Sequence, residues 1–171
     1  MIDEREDQLL TCIPDVLDYK SILYIGASRY RRQMLRLFID KGYDYSILEI
    51  WKPYINWMRK HFKNVIEGDV RNVDYLKLGS FDIVMWWHGP EHIMENELVS
   101  TLDKLGGMTK KILITANPWG IYESGPQRGN PYEAHLSHLY PEFFNKLGWE
   151  TDTIGEKNVP KSNLLSWQRK Q

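Results

Sequence analysis

Short apolar runs alternate with stretches of helical periodicity along most of this chain. Five uninterrupted runs predict buried strands: Ser21–Ile25, Tyr45–Ile50, Val65–Glu67, Phe81–Met85 and Lys111–Thr115. Between them the pattern predicts helices over Arg31–Lys41, over Tyr54–His61, along the face formed by Leu98, Leu102 and Leu105 until Gly106-Gly107, and over Pro141–Leu147. Trp149–Ile154 and Asn163–Gln168 predict a terminal antiparallel pair.

This alternation of strands and helices predicts the fold class. Strands that alternate with helices form a mostly parallel sheet with helices on both faces, so we expect a doubly wound, three-layer α/β fold. A length of 171 residues suits one domain. We expect a helical N-terminal segment over residues 1–19 and the domain itself over residues 20–171.

Composition narrows the range of partners and compartments. The net charge is −1, so there is no basic excess to indicate a nucleic-acid partner. No window approaches eighteen apolar residues, and the acidic N-terminus lacks the apolar core of a secretory signal. Cys12 is the only cysteine, which excludes an internal disulfide. We therefore expect a cytoplasmic protein without a membrane segment, and its oligomeric state stays open.

Three strand ends carry candidate ligand-binding residues. Gly26 ends the first strand, where glycine allows a sharp turn and a close backbone approach to a ligand. Glu49 ends the second strand, 23 residues later. A carboxylate about 20 residues after such a turn can accept the ribose hydroxyls of a nucleoside. Asp69 follows Gly68 at the third strand and could accept from an adenine amino group or simply form a turn.

The end of the fourth strand supports two incompatible interpretations. His88-Gly89-Pro90-Glu91-His92 matches the H-x-x-E-H motif of inverted zinc peptidases. That chemistry needs both histidines on one continuous helix, and Pro90 would interrupt the helix at a cost of about 3 kcal/mol. The same run also suits a strand that delivers these side chains to the edge of a parallel sheet, which is the interpretation we favour.

The ordered motifs resemble class I S-adenosylmethionine-dependent methyltransferases over roughly residues 20–169. The matching segments are Ile22–Ser28, Ile47–Glu49, Glu67–Val70, Phe81–His92, Ile112–Pro118, His135-Leu136-Ser137 and Tyr140–Trp149. They are similar to the branch whose fourth strand is followed by Glu-His. The resemblance implies a Rossmann-like sheet of seven strands, mostly parallel, with an antiparallel last strand.

The resemblance also implies a binding site for S-adenosylmethionine. Four residues would hold its methionine end: Tyr24, Gly26, Ala27 and Ser28. Glu49 would bind the ribose, with Ile50 and Trp51 beside it, while Asp69 and Val70 would bind the adenine. Trp87 and His88 would lie near the sulfonium.

The first motif departs from the family pattern. An acidic residue that normally bonds the methionine amine is replaced by Tyr24, and two later glycines are replaced by Ser28 and Tyr30. These departures favour an alternative function, a non-enzymatic binding protein that kept the fold but has a degraded cofactor loop.

A divalent metal is a further expectation from the resemblance. Small-RNA 2′-O-methyltransferases carry Glu-x-x-Glu-His at this strand, with a later histidine, and bind a metal there. Here His88 replaces the first Glu, while Glu91, His92 and His135 match. Without a metal, Glu91 would favour the start of a helix and His92 would pack against the strand.

We therefore expect a methyltransferase that acts on an oxygen or nitrogen of a small molecule or saccharide. A hydroxyl acceptor needs a general base, for which His135 is the first candidate and His88 the second. The long loop Ala116–Ala134 contains several Gly and Pro residues and is expected to cover the acceptor, with Arg128 facing an anionic group on it.

Overall fold

The protein is described by a computed structural model that covers residues 4–28 and 33–170. One sheet of seven strands runs through it in the order β3-β2-β1-β4-β5-β7-β6. The strands are β1 Ser21–Ile25, β2 Asp44–Glu49, β3 Val65–Glu67, β4 Phe81–Trp87, β5 Thr109–Asn117, β6 Glu150–Ile154 and β7 Asn163–Arg169. The first five pair in parallel, and β7 is antiparallel to both of its neighbours.

Helices cover both faces of this sheet. They are α1 Glu4–Cys12, α2 Gln33–Asp40, α3 Lys52–Met58, α4 Glu95–Gly107 and α5 Pro141–Asn145. Helices α1 to α3 pack on one face, where Leu9, Phe38 and Met58 are fully or almost fully buried. Helices α4 and α5 pack on the other face through residues such as Leu102 and Phe144. Burial from both sides explains why the central strands are apolar throughout.

The sequence patterns located every strand, and the differences lie at element ends. Strand β4 continues two residues past Met85, because Trp86 and Trp87 pair with β5 and are buried on opposite faces. Helix α3 begins at Lys52 and ends at Met58, with Pro53 in its first turn as expected. Within the described part of the chain the second helix begins at Gln33, and the predicted start at Arg31 lies outside the described residues.

The N-terminal segment packs against the same sheet. Leu9 and Ile13 are fully buried in the core. The Gln8 side chain donates to Asp152 of β6 and accepts from Asn163 of β7, both at 2.8 Å. None of the described helices is both long enough and apolar enough to cross a membrane.

The strand order reverses between β1 and β4, and the chain turns sharply there. After β4, His88 adopts a left-handed backbone conformation with φ of 50°, which is uncommon for a residue other than glycine. Its N–H donates to the Ala116 carbonyl at 2.7 Å. Gly89 follows, and the indole of Trp86 occupies the space where a side chain would begin. In open α/β sheets the crevice at such a reversal is where ligands bind.

The packing of Trp86 on Gly89 yields a stability prediction. In Gly89→Ala the new methyl group would lie 1.7 Å from Trp86 Nε1, so the indole or the turn has to move. Overpacking of this kind costs roughly 1–3 kcal/mol, and we expect the melting temperature to fall by roughly 3–10 °C for a domain of this size. Thermal denaturation measures the loss. Gly107→Ala is the matched control, because nothing lies near its added methyl group; an equal loss in both variants would contradict the prediction.

Candidate functional site

A cavity of about 350 Å³ opens at the carboxyl ends of the parallel strands, at the reversal between β1 and β4. Its floor is made by the ends of β1, β2 and β4 and by the residues that follow β3. Residues 130–133 and Leu136, from the segment after β5, close it from the other side. The volume lies within the usual range for a small-ligand site.

Glu49 is the most buried carboxylate that lines this cavity. It is 6% exposed, and its Oε1 accepts the backbone N–H groups of Ile50 and Trp51 at 2.9 Å. Burial raises the pKa of this carboxyl, the two N–H groups oppose the rise, and nearby Glu133 adds to it. Among the described residues no donor contacts Oε2. Half of this carboxylate therefore holds the chain turn, and the other half is available to a ligand.

Asp69 lines the same cavity but already has a cationic partner. Its Oδ1 accepts from the Arg71 backbone N–H at 2.9 Å, and both of its oxygens accept from the Arg71 guanidinium. Burial acts to raise the pKa of Asp69, but these contacts outweigh it and lower that pKa. Arg71 also contacts Glu97 on α4. An adenine amino group would thus have to share this carboxylate with Arg71.

The structure brings most of the predicted cofactor residues to one cavity. Those that line it are Gly26, Ser28, Glu49, Ile50, Asp69, Val70, Trp87 and His88. Three others do not line it, which corrects the prediction. Tyr24 and Ala27 are buried in the core on one face of the sheet. Trp51 packs edge-on against Tyr54 at 4.5 Å between ring centroids, and Tyr54 takes the place at the cavity wall.

The loop after β5 covers one side of the cavity, but Arg128, the residue expected to face the acceptor, does not line it. Asn130, Pro131, Tyr132 and Glu133 line the cavity. Arg128 is exposed and is not among the lining residues that the structure describes. Residues 130–133 belong to the loop predicted to cover the acceptor, but the sequence singled out only Arg128 within it. Tyr54 carried no sequence signal, since its place depends on how distant segments pack.

The Glu-His motif forms a buried polar cluster beside the cavity. Glu91 is 2% exposed. Its Oε1 lies 3.5 Å from Nδ1 of His88 and 3.9 Å from Nε2 of His92. The rings of His92 and His135 are 5.1 Å apart between centroids. Burial alone would raise the pKa of Glu91, but His92 and His88 outweigh it and lower that pKa to about 2.

Three members of this cluster present donor atoms suited to a metal ion. Single ligand atoms of Glu91, His92 and His135 lie within 4.8 Å of one another. His92 Nδ1 donates to the Ala134 carbonyl at 3.1 Å and His135 Nδ1 donates to the Tyr122 carbonyl at 2.5 Å. Both Nε2 atoms are therefore the unprotonated ones when the rings are neutral, which is the arrangement seen in metal-binding histidines. His88 contacts Glu91 from outside this group of three, so the predicted set of four ligands is reduced by one.

The peptidase interpretation does not fit the geometry. Residues Pro90–His92 form a single turn of 3-10 helix, and His88 precedes it in a left-handed conformation. The two histidines of the motif consequently do not lie on one continuous helix, which that chemistry requires.

Comparison with known proteins shows which solved structures share this architecture. No protein-family model and no curated protein sequence matches the chain. A SAM-dependent methyltransferase from Archaeoglobus fulgidus matches with a TM-score of 0.66 and 18% identity, over 96% of this chain and 92% of that one. Magnesium protoporphyrin IX methyltransferase from Synechocystis PCC 6803, with bound SAH, matches with a TM-score of 0.68 and 10% identity, over 98% and 83%.

This chain has the class I S-adenosylmethionine-dependent methyltransferase fold. The seven-stranded order and the antiparallel β7 confirm the fold expected from the motifs. A Rhodobacter sphaeroides structure named as a Zn-dependent alcohol dehydrogenase also matches, with a TM-score of 0.70 and 8% identity, over 100% of this chain and 92% of that one. Shared fold at these identities does not fix the reaction, which has to be argued from the site.

The lowered pKa of Glu91 gives a prediction on stability and pH. A carboxylate with a pKa of about 2 in the folded protein and 4.5 as its ordinary value stabilises the fold above pH 4.5 and loses that contribution as the pH falls toward 2. The shift corresponds to roughly 3 kcal/mol. Urea denaturation of wild type and Glu91→Gln should show the largest difference at pH 6 and a smaller one at pH 3. A difference that stays constant between these pH values would contradict the assignment.

Proposed function

We propose that this protein is an S-adenosylmethionine-dependent methyltransferase that transfers a methyl group to an oxygen or nitrogen of a small molecule or saccharide. The observation that carries the proposal is the buried Glu49 carboxylate, which has one oxygen available in a cavity at the strand reversal. Ribose hydroxyls are donors suited to that oxygen. One of the similar structures is a magnesium protoporphyrin IX methyltransferase, and its small acceptor supports a small acceptor for this chain.

The cavity walls fit the separate parts of this cofactor. Gly26 has φ of 74° and its N–H donates to the Leu48 carbonyl, so the chain after β1 turns without a side chain in the way. Ile50 and Val70 offer apolar surface for an adenine ring. Trp87 and His88, at the end of β4, lie across the strand reversal and border the place expected for the sulfonium.

The chemistry requires alignment more than covalent help. When bound, the cofactor supplies an electrophilic methyl group. The walls of the cavity hold the acceptor atom in line with it, and such positioning accounts for much of the rate in direct displacements. His135 is the proposed base for a hydroxyl acceptor, because its Nδ1 donates to the Tyr122 carbonyl, so Nε2 is the basic nitrogen of the neutral ring. His88 is the second candidate, since it lines the cavity itself.

A metal ion at Glu91, His92 and His135 is the finer part of the proposal. Two imidazole nitrogens and a carboxylate suit zinc or a similar transition ion. Such an ion would lower the pKa of a bound acceptor hydroxyl. The alternative function, a non-enzymatic binding protein, is favoured by the departures of the first motif at Tyr24, Ser28 and Tyr30. The first of these side chains, Tyr24, lies in the core.

Glu49→Gln tests the cofactor site. The amide keeps an oxygen for the Ile50 and Trp51 N–H groups but removes the charge that strengthens bonds to the ribose. Charge-assisted hydrogen bonds are worth about 1.5–3 kcal/mol, so binding of S-adenosylhomocysteine should weaken roughly 10- to 150-fold. Titration calorimetry measures it. Glu67→Gln is the matched control, since Glu67 pairs in register with Glu49 but lies outside the cavity lining. No binding by the wild-type protein at millimolar ligand would defeat the proposed function.

His135→Ala separates the metal from the base. With a metal, the wild-type protein should take up zinc in elemental analysis and calorimetry, and the variant should lose that uptake. His61→Ala is the matched control, because its ring packs on Trp57 away from the cluster. Without a metal, chelators should leave methyl transfer intact, while His135→Ala still lowers turnover roughly 100-fold or more. Full activity of His135→Ala would remove this residue from both roles.

A further inference from the structure

The carboxylates of the cavity wall are not equivalent. Among the described residues three line it, namely Glu49, Asp69 and Glu133. Asp69 is bound by Arg71, and Glu49 uses one oxygen to hold the backbone. Glu133 is half-buried, and its carboxylate makes no hydrogen bond or ion pair with any residue in the described ranges. It is close enough to Glu49 for the two negative charges to repel each other.

Asn130 brings an unpartnered donor to the same wall. Its side chain is 3% exposed, and its Oδ1 accepts the Tyr132 N–H at 3.0 Å. That bond fixes the amide orientation and leaves the NH₂ group as the part without an acceptor in the described part of the chain. The NH₂ nitrogen itself is not fully buried, so a molecule in the cavity can reach it. Because Asn130 lines the cavity, a ligand atom is the partner that the geometry provides.

The two residues share one short, braced turn. Pro131–Glu133 is a turn of 3-10 helix, the Glu133 N–H donates to the Asn130 carbonyl at 3.3 Å, and the next carbonyl, of Ala134, accepts from His92. A donor and a carboxylate are therefore held three positions apart over the cavity. This pair complements a group that carries a carboxylate and an ammonium side by side, as an α-amino acid does.

The end of the first strand offers no carboxylate to the ammonium of such an amino-acid group. Tyr24 is fully buried in the core, and the described cavity residues at the end of β1 are Ile25, Gly26 and Ser28, which carry no charge. An ammonium bound in this cavity has to find its counter-charge on another wall. Glu133 supplies one, and an ammonium beside it also relieves the repulsion with Glu49.

We propose that Asn130 and Glu133 bind the amino-acid end of S-adenosylmethionine, the Asn130 amide donating to the α-carboxylate and Glu133 accepting from the α-ammonium. This inference rests on the proposed function. It assigns to the loop after β5 a recognition role that the first strand does not perform, so that the cover of the cavity is itself part of the cofactor site.

Two probes separate this inference from the proposed function. S-adenosylhomocysteine carries the amino-acid group, and 5′-methylthioadenosine is the matching nucleoside thioether without it. In calorimetry, Glu133→Gln and Asn130→Asp should each weaken binding of the first roughly 10-fold or more and leave the second unchanged. Asn130→Asp keeps an oxygen to cap the turn, so the fold is preserved while the donor is replaced by a negative charge. Glu123→Gln, an exposed change on the same loop, is the control.

The outcomes are distinct. Equal weakening toward both probes, or no weakening toward either, would overturn the inference and leave the methyltransferase proposal standing. Wild-type binding that is equally strong for both probes would also overturn it, because the amino-acid group would then contribute nothing. Wild-type protein that binds neither probe would defeat the proposed function and this inference together.

Discussion

The turn after β4, Pro90–His92, binds residues 134–137 through several hydrogen bonds, and the shape of the cavity depends on these bonds. The Glu91 carbonyl accepts the N–H groups of Leu136 and Ser137 at 2.7 and 3.2 Å. The Ser137 hydroxyl donates to the Pro90 carbonyl, and the His92 ring donates to the Ala134 carbonyl. These bonds fix residues 134–137 against the strand end, and residues 130–133 therefore lie over the cavity at a defined height.

The same turn also links the histidine cluster to the cavity. His92 lines the cavity, contacts Glu91 on one side and lies against His135 on the other. The Glu91 carboxylate contacts the histidines, and the backbone carbonyl of the same residue holds the loop. A change in the charge of Glu91 would therefore affect the position of the loop as well as the histidines. Effects of substitutions in the cluster and in the cover are accordingly not expected to be additive.

Most of the fold could be predicted from the sequence, because parallel strands buried on both faces leave uninterrupted apolar runs. The ends of β4 and β5 could not be predicted. Trp86, Trp87 and Asn117 are equally compatible with a loop or a turn until the pairing of the two strands is known. The position of Glu49 in the cavity wall was predictable, because it depends only on the place of this residue at a strand end. The position of Asp69 at the cavity was predicted, but its partner was not. Arg71, two residues later, binds its carboxylate.

The parts of the site that sequence patterns missed are those made by distant segments. Tyr24 occupies the place of an acidic residue in the linear motif, yet its side chain belongs to the core, where burial raises the pKa of its hydroxyl. The loss of charge at that strand and the presence of Glu133 on the cover are separated by 109 positions, and no local pattern connects them. They become related only because the hydrogen bonds of Pro90–His92 hold residues 130–133 over the strand ends. A degraded motif in one segment therefore does not imply a degraded site, because a fold can supply the missing charge from any wall that faces the ligand.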